Sequence, residues 1–123
     1  MKTIWLVVPC YNEEEVLPET SKQLKNVMSS MIENGKISPE SKIAFVNDGS
    51  KDNTWNIISA LCTGDGIFAG INLSRNKGHQ NALLAGLMTA KKYADAVISL
   101  DADLQDDVNA IEKMVDNFIA GDD

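Results

Sequence analysis

Asp101, Asp103 and Gln105 alternate along the chain directly after the apolar run Ala96-Val97-Ile98-Ser99-Leu100. Successive side chains of extended backbone point to opposite faces, so an extended continuation of that run turns all three to one side. Two carboxylates about 4 Å apart repel by roughly 4 kcal/mol at an effective dielectric of 20, so such a pair shares a proton, stays solvated or holds a cation. An all-oxygen set suits a hard divalent cation, Mg²⁺ or Mn²⁺, which keeps coordination positions open for substrate phosphates. The plainer alternative makes these loop and helix-cap residues. A cap needs only one such residue, and Asp106 or Asp107 fits that task. The expectation is therefore a metal at Asp101 and Asp103, with Gln105 as a candidate third ligand.

Three more polar segments follow apolar runs: Pro9-Cys10-Tyr11-Asn12-Glu13-Glu14-Glu15, Asn47-Asp48-Gly49-Ser50-Lys51-Asp52, and Ser74-Arg75-Asn76-Lys77-Gly78-His79-Gln80. Asp48-Gly49 is a common turn pair, and Asp48 at a strand end can equally accept a hydrogen bond from the imide N–H of a nucleobase. Arg75 and Lys77 can meet diphosphate or base oxygens, or simply stay solvated. His79, the single histidine, opens a helix, which favours a helix-start or packing role over catalysis. Cys10 and Cys62 read as small apolar fillers in a reduced, cytosolic setting, too far apart for a metal knuckle. There is no Walker loop, no Gly-x-Ser-x-Gly elbow and no Cys/His zinc spacing, and Gly64-Asp65-Gly66 precedes a strand, unlike a dinucleotide fingerprint.

The elements that must position these segments show in the hydropathy pattern. Ile4–Val8, Ile43–Val46, Ile67–Leu73 and Ala96–Leu100 are strand-length and nearly continuous, the pattern of strands covered on both faces. Helical spacing runs from Val16 to Ile32, with Asn12 and Glu15 as a possible capping box, Pro18 in the first turn and Gly35 past the end. A second helix, capped by Asp52 or Asn53, carries Trp55, Ile58 and Leu61 and stops at Gly64-Asp65-Gly66. A third, from about Gly78 to Tyr93, is apolar on most sides and is expected to be deeply buried. The fourth follows Asp106-Asp107, with Ile111, Met114, Val115 and Phe118 as its core stripe. Four alternations of strand and helix predict one α/β domain over residues 1–123: three layers, a mainly parallel four-stranded sheet with helices on both faces. In such sheets ligands bind outside the carboxyl ends of the strands, where all four polar segments fall.

The 123 residues carry a formal net charge of −7, which opposes nucleic-acid binding. An acidic protein still binds a phosphorylated small molecule when a cation sits between its carboxylates and the phosphates. The apolar run after Met1-Lys2-Thr3 meets Pro9 too soon for a signal-peptide core or a membrane span.

Taken together, Val8-Pro9-Cys10-Tyr11-Asn12-Glu13-Glu14, Val46-Asn47-Asp48-Gly49-Ser50-Lys51-Asp52-Asn53-Thr54, Arg75-Asn76-Lys77-Gly78-His79-Gln80 and Leu100-Asp101-Ala102-Asp103-Leu104-Gln105-Asp106 resemble the family 2 glycosyltransferases. The similarity is greatest to the polyprenyl-phosphate sugar transferases, the group of dolichol-phosphate mannose synthases and bactoprenol glucosyltransferases. The resemblance implies the nucleotide-binding half of a GT-A fold. Pro9, Tyr11 and Glu13 would surround base and ribose, Asp48 would read the base, and Arg75 would lie near base or phosphates. Asp101, Asp103 and Gln105 would bind the metal bridging the donor diphosphate, with Asp101 also at the nucleotide. The implied reaction is an inverting transfer from a UDP- or GDP-sugar to an acceptor, polyprenyl phosphate, by a full-length protein at the cytoplasmic face of the membrane.

Two departures stand out. Asp107-Val108-Asn109 occupies positions where relatives often carry prolines. Family members also continue past this point with an acceptor half, a general-base or acceptor-positioning carboxylate and often membrane helices. The expectation is thus a fragment that binds donor but turns over little, its catalytic base lying beyond Asp123. Two rival readings are a nucleotide-sugar-binding module without catalysis and a metal-dependent phosphotransfer domain. The latter usually needs an acidic residue directly after the first strand, where this chain has Pro9-Cys10-Tyr11.

Overall fold

Strand and helix alternate through eight elements: β1 (Ile4–Cys10), α1 (Leu17–Glu33), β2 (Lys42–Asp48), α2 (Thr54–Gly64), β3 (Phe68–Leu73), α3 (His79–Ala90), β4 (Ala96–Ser99) and α4 (Asn109–Ile119). This computed structural model describes residues 1–75, 78–103 and 108–121. The strands form one sheet in the order β3-β2-β1-β4, and every neighbouring pair is parallel. Val8 lies opposite Phe45 and Leu6 opposite Ile98. The order changes direction at β1, with β2 on one side and β4 on the other, which makes the gap between the ends of β1 and β4 the switch point.

Right-handed crossovers decide which helix covers which face. The steps β1 to β2 and β2 to β3 run one way, putting α1 and α2 on one face; the step from β3 back to β4 puts α3 on the other. The side chains follow the period of two. Ile4, Leu6 and Val8 of β1 join Ile43 and Phe45 of β2 in a core with Leu24 and Met28 of α1, Ile58 of α2, and Ile111 and Val115 of α4. Trp5 and Val7 join Ala44 and Val46 in a second core under Ala82 and Ala90 of α3. Lys36 pairs with Glu112 and, at 3.1 Å, with Asp116, tying α4 to the chain leaving α1.

Several expectations need correction. Only β1 and β2 are buried throughout, apart from the half-buried Lys42; the edge strand β3 alternates and β4 is half-buried, because each has a neighbour on one side only. Asn12 and Glu15 form no capping box: α1 begins at Leu17 after Val16, with no side-chain cap. At α2 the expectation of Asp52 or Asn53 holds for Asp52, whose carboxylate accepts the Thr54 N–H at 2.9 Å, while Asn53 makes no capping bond. In α4, Met114 is exposed rather than part of the core. The largest change is in α3. Its sheet side consists of small residues, Ala82, Gly86 and Ala90, whereas Leu84 and Met88 are 53% and 55% exposed.

Candidate functional site

A cleft of about 330 Å³ lies at the switch point, lined by Pro9, Cys10, Tyr11, Glu13, Asp48, Gly78, Ala82, Asp101, Ala102 and Asp103. β1 delivers the first group from its carboxyl end, β2 delivers Asp48, the start of α3 supplies one wall, and the loop after β4 supplies the carboxylates. Asp48 is buried; Tyr11, Asp101 and Asp103 are exposed at the opening. Of the residues singled out in the sequence, Pro9, Tyr11, Glu13, Asp48, Asp101 and Asp103 come together here. Arg75 does not line the cleft; it sits exposed two residues beyond β3. Gln105, Lys77, Asp106 and Asp107 lie outside the described residues. His79 is the first residue of α3.

Hydrogen bonds between the loops after β1 and β2 build one side of the cleft. Asn12 adopts a left-handed backbone, φ +53°, which asparagine tolerates better than most residues. Its N–H donates to Ser50 Oγ at 2.9 Å, and its Oδ1 accepts the Lys51 N–H at 2.8 Å. The Glu13 N–H donates to Thr54 Oγ1 at 2.8 Å, and the Thr54 hydroxyl donates onward to Asp52 Oδ1 at 2.5 Å. Burial pushes the Asp52 carboxyl upward, but the Thr54 hydroxyl and the N–H groups of Thr54 and Glu14 outweigh it and hold its pKa below the ordinary value. Gly49 turns the second loop at φ +68°, a conformation that favours glycine. Asn47, buried beside Asp48, accepts the Ser50 N–H at 3.2 Å and donates to Asn72 at 2.8 Å. Tyr11 and Glu13 flank Asn12 and are thereby held in register with Asp48.

The carboxylate side differs from the expected extended run. β4 ends at Ser99, the Leu100 N–H still reaches Val7 O at 2.9 Å, and the chain then turns at Ala102 and Asp103. Both carboxylates nonetheless line the cleft, while Ala102 between them is buried. The Ala102 carbonyl accepts the Thr20 hydroxyl at 2.6 Å. Glu13 shows the crowding of charge: its pKa is raised by burial first, then by Asp103, Asp52 and Asp101. Burial, reinforced by Glu13, pushes the Cys10 thiol up to about 12, so Cys10 is a filler of the cleft floor and not a nucleophile. Among the described residues no group of three or more His, Cys, Asp or Glu is arranged to hold a metal ion, and no helix is long and apolar enough to cross a membrane.

Sequence reasoning missed Gly78 and Ala82 as lining, the bonding roles of Asn12, Ser50 and Thr54, and Thr20. The run Asp48-Gly49-Ser50-Lys51-Asp52-Asn53-Thr54 carries a signal for Ser50 and Thr54, since both are residue types that bond neighbouring backbone in loops. Nothing local marks Thr20.

A family model described as Glycosyl transferase family 2 matches residues 5–123. The chain belongs to this family. Within the family it is 50% identical over 116 residues to a Bacillus subtilis protein described as an uncharacterized glycosyltransferase, YkoT, covering 94% of this chain and 34% of that one. It is 41% identical over 121 residues to the bactoprenol glucosyl transferase of Shigella phage SfV, covering 98% of this chain and 36% of that protein. The chain therefore spans about a third of the length of these relatives. Among solved structures, S. aureus TarS in complex with UDP superposes with a TM-score of 0.59 at 22% identity, over 82% of this chain and 27% of that one, a likeness of fold.

Proposed function

We propose that this chain is the donor-binding part of an inverting glycosyltransferase that takes a UDP- or GDP-sugar with Mg²⁺ or Mn²⁺. The observation carrying the reading is that one cleft at the switch point holds Asp101 and Asp103 together with Pro9, Tyr11, Glu13 and Asp48. The residues present fit such a cation. Two carboxylates open onto a cleft where a third carboxyl, Glu13, has its pKa raised by burial first and then by Asp103, Asp52 and Asp101, so a cation placed among them would relieve their mutual repulsion. Two carboxylates plus substrate phosphates is also the way Mg²⁺ is commonly held, without a dedicated cage of protein ligands. Asp101 and Asp103 are the assigned ligands, with Gln105 as the third.

A divalent ion held there would neutralise charge on the departing nucleoside diphosphate. Pro9 and Tyr11 present an apolar edge and a ring to the base, and Glu13 offers an acceptor to ribose hydroxyls. Asp48, fixed at the end of β2, accepts an imide N–H, which uracil and guanine both offer. The acceptor we assign is a polyprenyl phosphate, in keeping with the bactoprenol named for the phage relative. That acceptor puts the whole protein's reaction at the cytoplasmic face of a membrane.

Calorimetric titration with UDP and with GDP, each with and without Mn²⁺, tests the reading. One nucleotide should bind in a metal-dependent manner, and Asp103→Ala should lower that affinity about tenfold or more, the usual order for loss of a ligand or its support. Binding indifferent to metal, or to Asp103, would sink the assignment.

A further inference from the structure

A threonine inside a helix ordinarily returns its hydroxyl to the carbonyl three or four residues earlier. Thr63 does so to Ser59 at 2.9 Å, Thr89 to Ala85 at 3.0 Å, and Ser21 to Pro18 at 2.9 Å. Thr20 does not. Its backbone N–H is satisfied by Val16 O at 2.9 Å, and its hydroxyl leaves α1 to donate to Ala102 O at 2.6 Å, across 82 residues of sequence. Both residues are 4% exposed, so the bond is out of reach of bulk water. Leaving a buried carbonyl unpaired is costly.

We propose that Thr20 is a positioning residue for the cation site, resting on the reading that Asp101 and Asp103 hold the ion. The peptide it grips is the one joining Ala102 to Asp103. With the Ala102 methyl packed in the core and its carbonyl anchored to α1, that peptide has little freedom to rotate. Asp101 and Asp103, on either side, are then directed outward to the cleft by a buried hinge between them. Outer contacts of this kind set the affinity of metal sites by orienting the ligands.

Two independent hydroxyl deletions test this: Thr20→Val against the native chain, and Thr20→Ala against Thr20→Ser. Each protein is titrated with UDP and GDP with and without Mn²⁺, and metal-free amide chemical shifts are compared. The Val and Ala variants should lose about tenfold of the Mn²⁺-dependent gain in affinity, with metal-free affinity held within about twofold, while Ser keeps the gain. The shifts of residues 101–103 should move in both deletions while those of residues 47–54 stay. Full retention of the Mn²⁺ gain in Val and Ala overturns the role of Thr20 and leaves the donor reading standing. Absence of any Mn²⁺ gain in the native chain overturns the donor reading and the role with it. Unmoved shifts at 101–103 overturn the Thr20 assignment whatever the binding data give.

Discussion

Asn12 carries two loads at once, an unfavourable backbone and a bond between loops. Its left-handed φ of +53° suits asparagine and glycine, and would cost a residue such as alanine about 1–2 kcal/mol. Its Oδ1 holds the Lys51 N–H from 39 residues away, a hydrogen bond contributing about 1 kcal/mol. Asn12→Ala loses the bond and adds the backbone cost; Asn12→Gly loses the bond but relieves the backbone, offset in part by extra freedom of the unfolded chain. Urea denaturation should therefore show about 2 kcal/mol lost for alanine and about 1 kcal/mol for glycine. The reverse order would mean that the left-handed turn is not a feature of the folded chain. This residue also shows where sequence reading stops. Asn12 followed by Glu15 has the local form of a helix cap, and the same side chain bonding sideways to the next loop leaves no local trace. Thr20 is more extreme, since a threonine in a first helical turn gives no hint of a partner at Ala102.

At the scale of elements, the order of strands and helices was legible because short, nearly continuous apolar runs alternate along the chain with segments of helical spacing, with turn residues between them. The depth of each element was not. In α3 the apolar composition suggested deep burial, yet close approach to the sheet is achieved by Ala82, Gly86 and Ala90, and the larger Leu84 and Met88 remain outside. Gly86 sets that distance. A Cβ built on it would stand 2.4 Å from Val7 Cγ1 and 2.9 Å from Val46 Cγ2, both on the buried central strands. Gly86→Ala must lift α3 or shift the strands, costing about 1–3 kcal/mol as overpacking does. Because Gly78 and Ala82 of the same segment wall the cleft, nucleotide affinity should fall together with thermal stability. Gly64→Ala is the control: it ends α2 with open space around it, so the same added methyl should change stability by no more than about 0.5 kcal/mol. Equal effects at the two positions, read by thermal melts, would refute the account of α3 packing.

At the scale of the whole chain, charge sets how a nucleotide would approach the proposed donor site. The chain has 11 Lys and Arg against 18 Asp and Glu, a net −7, and four of those carboxylates, Glu13, Asp48, Asp101 and Asp103, line the cleft. Each carboxylate charge about 12 Å from a phosphate contributes about 0.3 kcal/mol of repulsion in water. Two or three such terms would weaken binding of a metal-free nucleoside diphosphate by about three- to fivefold, and salt removes them as the screening length contracts from about 10 Å at 0.1 M to about 3 Å at 1 M. Metal-free UDP or GDP should accordingly bind somewhat more tightly at high NaCl, while the increment from Mn²⁺ should shrink, because attraction between the cation and the carboxylates is screened in turn. A site that held the diphosphate chiefly through basic side chains such as Arg75 would behave in the opposite way, losing metal-free affinity as salt rises. Titrations at two salt concentrations, with and without Mn²⁺, separate the two cases, and the sign of the metal-free change is enough to decide between a cation bridge and a direct basic clamp.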